Sequence, residues 1–329
     1  MCRTLAVTTL MNGPTVTPMK PIADDVERFD PSSVLTVALD DHARGRLVDF
    51  YELTKPRMNM LVVITTMVGF YMASLQRVEW LLLINTLLGT ALCAASASVF
   101  NQYVEREYDA LMPRTRNRPL AAGRLGLSES MVFGLLLGLI GVVLLALSVN
   151  LLTAFLGLFT MLSYVFIYTP MKRHSTLNTV VGAVPGAIPP MMGWTAVTNE
   201  VSIEAAALFG ILFLWQMPHF LAIAIMYRKD YEAGGFKMLP SADPTLAMTS
   251  RMIILYTIAL IAVSVLPAVL NPALFGRAYA VVAVLLGLAF LGFGVNCAIR
   301  KTRLDARRLF FASIIYLPLV LGAMMLDRG

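Results

Sequence analysis

Apolar and polar positions do not alternate along this chain; they fall into long blocks. A helix needs about 20 mainly apolar residues to cross the hydrocarbon core of a bilayer. Nine runs approach or exceed that length: Met58–Leu75, Trp80–Phe100, Met131–Val149, Leu151–Thr169, Asn178–Val197, Ala205–Met226, Met252–Leu270, Ala278–Ile299 and Leu309–Leu326. None contains Asp, Glu, Lys or Arg. Strand-like alternation is absent, which argues against a β-barrel. The pattern predicts an all-α polytopic membrane protein with nine transmembrane helices.

The polar blocks between these runs set an orientation. With the N-terminus in the cytoplasm, all but Arg77, Arg277 and Arg328 of the 26 Lys and Arg residues fall on the inner side. That is the asymmetry of the positive-inside rule, and it predicts an N-in, C-out protein. Trp80 and Trp194 then fall at the outer interface, where indoles tend to sit. Residues 1–50 contain seven acids among Pro, Ser and Thr and no long apolar run. They read as a mobile cytoplasmic extension, and residues 51–329 as the membrane domain. The start, MCRTLAVTTLM, is poorly flanked for a signal peptide, and the acids that follow argue against a transit peptide. A bacterial inner membrane is therefore expected rather than a mitochondrial one.

Composition adds exclusions. With 58% hydrophobic and 14% charged residues, against about 25% charged in an ordinary soluble domain, neither a soluble fold nor a nucleic-acid partner is expected. The three cysteines, Cys2, Cys93 and Cys297, lack the spacing of a zinc site or a disulfide framework.

The candidate chemistry lies in the inner loops. Residues 101–130 read NQYVEREYDALMPRTRNRPLAAGRLGLSES. Asn101, Glu105 and Asp109 recur every four positions and share a helix face, whereas Glu107 projects elsewhere. Such a row of oxygen ligands suits Mg²⁺, which binds through one or two carboxylates together with substrate phosphates. Arg114, Arg116 and Arg118 suit phosphate oxygens. Spacing alone leaves a second reading open: a solvated helix with i,i+4 charge pairs and a topogenic basic tail.

A second charged inner loop, with Arg228, Lys229, Asp230, Glu232 and Lys237, follows span 6 as the first follows span 2. Lys55 and Arg57 stand before span 1 as Lys172 and Arg173 stand before span 5. This recurrence predicts a parallel repeat of spans 1–4 and 5–8 with span 9 appended. The two acidic loops would face each other across a central cavity open towards the cytoplasm. Within the spans, Gln216 and His219 share a face of span 6, His219 about 10 Å from the inner end. Position alone favours a neutral imidazole bonded to a neighbouring helix. Span 5 carries Pro185, Pro189 and Pro190 with Gly182, Gly186 and Gly193, residues that kink helices and permit close packing.

NQYVEREYD with RTRNRPL resembles the first acidic motif, NxxxDxxxD, of the UbiA-type intramembrane prenyltransferases. Four stretches in order over residues 53–240 narrow the resemblance to the protohaem IX farnesyltransferase (haem O synthase) branch of that superfamily. They are LTKPRMNMLVVITTMVGF, the first loop with MPRTRNRPLAAGRL, YTPMKRHSTLNTVVGAVPGAIPPMMGW and WQMPHFLAIAIMYRKDYEAGGFKMLP. The resemblance implies that farnesyl diphosphate binds through Mg²⁺ to the two acidic loops and ionises, and that a vinyl group of haem B attacks the allylic cation.

By the same resemblance Asn101, Glu105, Asp109 and Asp230 are the catalytic residues, with Glu105, Asp109 and Asp230 holding Mg²⁺. Arg114, Arg118, Lys172, Arg173, Arg228 and Lys229 would contact diphosphate, and His219 would contact haem. Haem A synthase or oxidase assembly factors are the implied protein partners. Two departures concern the second motif: Gly234 stands where a second acid is common, and Lys229 replaces an acid before Asp230. A prenyltransferase for an aromatic quinone precursor fits the generic motif as well. A transporter fits less well, since the polar groups gather at one membrane face rather than near the midplane.

Overall fold

The computed structural model describes residues 45–74 and 77–328. Helix α1 covers residues 45–53. It is followed by α2 (Pro56–Ala73), α3 (Trp80–Asp109), α4 (Leu127–Ser148) and α5 (Leu151–Leu162). A π-helical segment, Ser163–Tyr168, joins α5 to α6 (Thr169–His174). Then come α7 (Asn178–Thr198), α8 (Ile203–Met226), the short α9 (Arg228–Ala233) and α10 (Leu239–Ala242), α11 (Ala247–Leu270), α12 (Arg277–Arg300) and α13 (Arg303–Leu326). Apart from one isolated bridge between Phe275 and Arg328, the described residues form no β-structure.

Eight helical segments are long and apolar enough to cross a membrane, with α5, the π-segment and α6 counting as one. The helix at the first expected span, α2, has 18 residues, with Arg57 and Asn59 in its first turn. Leu, Ile, Val and Phe cover the outward faces, as in Leu135, Leu139, Leu285 and Ile315. Small and polar residues point inward: α3 buries Ala95, Ser96, Ala97 and Ser98. This inversion is expected where lipid, not water, surrounds the bundle.

The bundle centres on α7 and α8. Helix α7 packs on α2, α5 and α8, and α8 packs on α11 and α13. Despite three prolines α7 is one continuous element. Its glycines serve close approach: a Cβ on Gly193 would overlap the Thr66 carbonyl of α2, and one on Gly69 would overlap the Pro190 carbonyl. The α2–α7 pair is therefore a contact of backbone on backbone.

Two sequence expectations change. Residues 45–50, placed in the mobile extension, belong to α1. Phe50 makes an edge contact with Phe133 at 5.0 Å, and the Leu53 carbonyl accepts from Gln102 Nε2. The remainder of the expected extension, residues 1–44, lies outside the described residues. Trp194 is not an interfacial indole but is 5% exposed within the main apolar core. The one-dimensional pattern could not distinguish a helix end facing lipid headgroups from one covered by neighbours. Trp80 is exposed at the start of α3.

Candidate active site

Helix α3 continues two turns beyond the expected span and carries the acidic row with it. Asn101, Glu105 and Asp109 lie at i, i+4 and i+8 and are 1%, 4% and 1% exposed. Glu107, off this face, is exposed and paired with Arg106. A solvated juxtamembrane helix would not bury two carboxylates, because desolvating unpaired charge is costly. Each member of the row instead meets a different cation. Lys55 Nζ donates to Asn101 Oδ1 at 2.6 Å. Lys172 Nζ lies 2.7 Å from Glu105 Oε1, within ion-pair distance but outside hydrogen-bond geometry. Arg118 Nη1 donates to Asp109 Oδ2 at 2.6 Å.

Each cation reaches the row by a different local device. Lys55 stands just before α2 at φ 51°, a backbone region uncommon for a residue with a Cβ. Burial, then the nearby positive charges of Arg118 and Lys172, lower its amine to about 7. Arg118 arrives through the loop after α3, where Thr115 Oγ1 donates to the Asp109 carbonyl. Lys172 sits on α6 just after the π-segment, a feature frequent at functional sites. There the Thr169 hydroxyl donates to the Tyr164 carbonyl and accepts from Asn101 Nδ2, which fixes the amide so that its oxygen faces Lys55.

Tyrosines join the first polar loop to the second. Arg114 lies over the rings of Tyr227 and Tyr231, at 4.9 and 5.4 Å, and donates to the Tyr231 hydroxyl at 3.3 Å. Arg173 lies 4.1 Å from the Tyr108 ring centroid and donates to its hydroxyl. Beneath them Met112, Phe236 and Met238 form a small apolar cluster with Tyr108 and Tyr231. The Lys237 backbone N–H donates to the Lys172 carbonyl, and Asn178 Nδ2 donates to the Lys237 carbonyl. The loop after α8 is thereby anchored beside the buried row.

The predicted residues of the polar loops thus separate into three groups. Asn101, Glu105, Asp109, Arg118 and Lys172 converge in one cluster. Arg114 and Arg173 border it on tyrosine rings. Arg228, Lys229 and Asp230 remain on α9: Arg228 is paired with Glu232 at 2.9 Å, Lys229 is exposed, and Asp230 is half-exposed. Asp230 makes no side-chain hydrogen bond or ion pair among the described residues. Lys55 was missed as a site residue; its place before span 1, matching that of Lys172 and Arg173 before span 5, was the signal, and it was read for the repeat rather than for the site.

The donor set suits Mg²⁺. Asn101, Glu105 and Asp109 offer only oxygen, the atom a hard cation takes. Asp109 Oδ1 is buried without a partner, a lone pair the fold desolvates and leaves unused. Among the described residues no three His, Cys, Asp or Glu side chains gather closely enough to hold a metal by themselves. The residues therefore fit an ion whose shell is completed by phosphate oxygens, not one caged by protein alone.

His219 lies deeper on α8, its ring between Trp215 and Phe310 at centroid distances of 4.9 and 5.0 Å. Its Nδ1 is 2.7 Å from Ser313 Oγ on α13. Ser313 Oγ also lies 2.5 Å from the Phe310 carbonyl. A hydroxyl proton donated there makes Ser313 the acceptor from His219 Nδ1–H and leaves the lone pair on Nε2.

A model of the UbiA prenyltransferase family matches residues 62–315. Protoheme IX farnesyltransferase of Solibacter usitatus is 46% identical over 289 residues, covering 85% of this chain and 98% of that protein. The protein of the same name from Myxococcus xanthus is 43% identical, covering 85% and 94%. Among solved structures, digeranylgeranylglyceryl phosphate synthase superposes with a TM-score of 0.73 at 17% identity, covering 86% of this chain and 98% of the other. A UbiA homologue from Archaeoglobus fulgidus bound to GPP and Mg²⁺ superposes with a TM-score of 0.61 at 14% identity, covering 84% and 99%.

Proposed function

This chain belongs to the UbiA prenyltransferase family, and from that premise we propose that it transfers farnesyl from farnesyl diphosphate to a vinyl group of haem B, giving haem O. The observation that carries the reading is the burial of Asn101, Glu105 and Asp109 in one row with Lys55, Lys172 and Arg118 against it. The acceptor rests on the relatives from Solibacter usitatus and Myxococcus xanthus and their match along nearly their whole lengths.

The row would hold Mg²⁺ through Glu105 and Asp109, with the Asn101 oxygen beside them. Bound there, the ion would neutralise charge developing on the departing diphosphate. Lys172 and Arg118 each have a carboxylate partner that diphosphate oxygens can replace. In the proposed complex they turn to the phosphate, while Arg114 and Arg173 close over it from their tyrosine rings. These donors act where bulk water is excluded and stabilise the leaving group more than water would. The C–O bond breaks, the diphosphate keeps the electron pair, and an allylic cation remains. A vinyl carbon of haem supplies the electrons of the new C–C bond. Water adds to the resulting cation and loses a proton, completing the hydroxyethylfarnesyl group. The lipid-facing bundle shields the first cation until that acceptor meets it.

In this reading Asp230 serves Mg²⁺ and the diphosphate from the second polar loop, with Arg228 and Lys229 beside it on α9. His219 contacts haem, through the Nε2 lone pair that Ser313 leaves available. The same reading takes the chain as a nine-span, N-in and C-out bundle, with the cluster on the cytoplasmic side, a central cavity open to that side and spans 1–4 and 5–8 as a repeat; the charge asymmetry supports the orientation.

The test is direct. Membranes containing the protein receive farnesyl diphosphate, Mg²⁺ and haem B, and the extracted haem is separated by chromatography. Haem O is the expected product. Prenylation of an aromatic quinone precursor alone, with haem B returned unchanged, would overturn the acceptor.

A further inference from the structure

At the end of the bundle that holds the acidic row, a cleft of about 630 Å³ opens between α8 and α13. Its size lies in the ~300–1,000 Å³ range of cofactor and ligand pockets. Tyr227 forms one wall; Arg303, Leu304, Arg307, Phe310 and Phe311 form the other. The α13 positions recur at i, i+1, i+4, i+7 and i+8 and make one helix face. Its outer part is two arginines one turn apart, and its inner part is aromatic and aliphatic.

Helix stability does not call for those arginines. They occupy the first two turns of α13, where the positive end of the helix dipole favours acids. The acid in this first turn, Asp305, is bonded by the N-cap Thr302 and paired with neighbouring Arg308. Among the described residues neither Arg303 nor Arg307 has a carboxylate partner. Topology calls for basic charge at this membrane face, but not for two guanidinium groups on the wall of a cleft.

The cleft also adjoins the groups already described. Tyr227 carries Arg114 on its ring, so one side chain separates the cleft from the diphosphate cluster. Phe310 lines the cleft and stacks on His219, with ring planes 30° apart.

We propose that this cleft is the acceptor site: Arg303 and Arg307 engage the two carboxylates on one edge of the tetrapyrrole, and Leu304, Phe310 and Phe311 face its apolar ring. The assignment rests on the haem reading above and adds where and by which groups haem is held. Guanidinium suits the task because it pairs with a carboxylate bidentately.

The experiment uses full-length protein in nanodiscs of zwitterionic lipid, titrated with haem B and with haem B dimethyl ester, and reads the Soret band. Wild type is expected to bind the diacid at least about tenfold more tightly than the diester. The R303Q/R307Q variant should bind both alike, with farnesyl diphosphate affinity and thermal midpoint unchanged. R303K/R307K should keep part of the preference and guards against a folding artefact. A full diacid preference in R303Q/R307Q overturns the site. So does a variant whose only change, in discs of anionic lipid, is lost dependence on that lipid. If wild type makes no haem O at all, the functional reading fails; if it makes haem O and R303Q/R307Q binds haem normally, only the site fails.

Discussion

Lys172 on α6 and Glu105 on α3, 67 positions apart in the chain, meet at 2.7 Å with only 15% and 5% of their side chains exposed. Removing one partner of a buried ion pair leaves an uncompensated charge, which costs about 3–5 kcal/mol. Lys172→Met should therefore lower the thermal midpoint in detergent and abolish turnover. The double variant Lys172→Met/Glu105→Gln should recover much of the stability and none of the activity. Equal midpoints for wild type and Lys172→Met would show that the pair is not buried.

Glu105→Gln and Asp109→Asn keep side-chain shape while removing the charge that would attract a divalent ion. Each should lower turnover by at least about 100-fold, the scale of losing one preorganised electrostatic contact. Membrane insertion should be normal by extraction and protease protection. Near-normal rates in both variants would defeat the metal reading.

Lys55 reaches Asn101 from the entry to α2. Lys55→Met should raise KM for farnesyl diphosphate by about tenfold or more, the worth of one charge-assisted hydrogen bond of ~1.5 kcal/mol. KM for haem should stay the same. A change in haem KM alone would move Lys55 out of the diphosphate site.

Gly193 and Gly69 hold α7 against α2. Gly193→Leu should separate the helices and destabilise the protein by about 1–3 kcal/mol or more, read as a lower thermal midpoint. Gly292→Leu, at a position with open space around it, should leave the midpoint unchanged.

Ser313→Ala frees His219 Nδ1 while leaving the Trp215 Nε1 bond to the Ser313 carbonyl in place. The expected result is a modest stability loss of about 1 kcal/mol and a changed Soret spectrum of the haem-bound protein. An unchanged spectrum would separate His219 from the haem.

The chain's own pattern determined the features that depend on local repetition. Apolar runs long enough to cross lipid specified the helices, because no other regular structure satisfies the backbone there except a closed barrel. The four-residue spacing of Asn101, Glu105 and Asp109 was likewise legible, since the α-helical repeat converts spacing into a shared face. Tertiary structure decided which cation meets which member of that row. It brought in Lys55, left Asp230 apart on α9, and covered Trp194. It also opened the cleft between Tyr227 and Arg307. Apart from Arg118, nine positions from Asp109, those partners lie tens of residues apart across loops with no periodicity. Their meeting is set by how α2, α3, α7, α8 and α13 pack, and packing depends on side-chain shape in three dimensions.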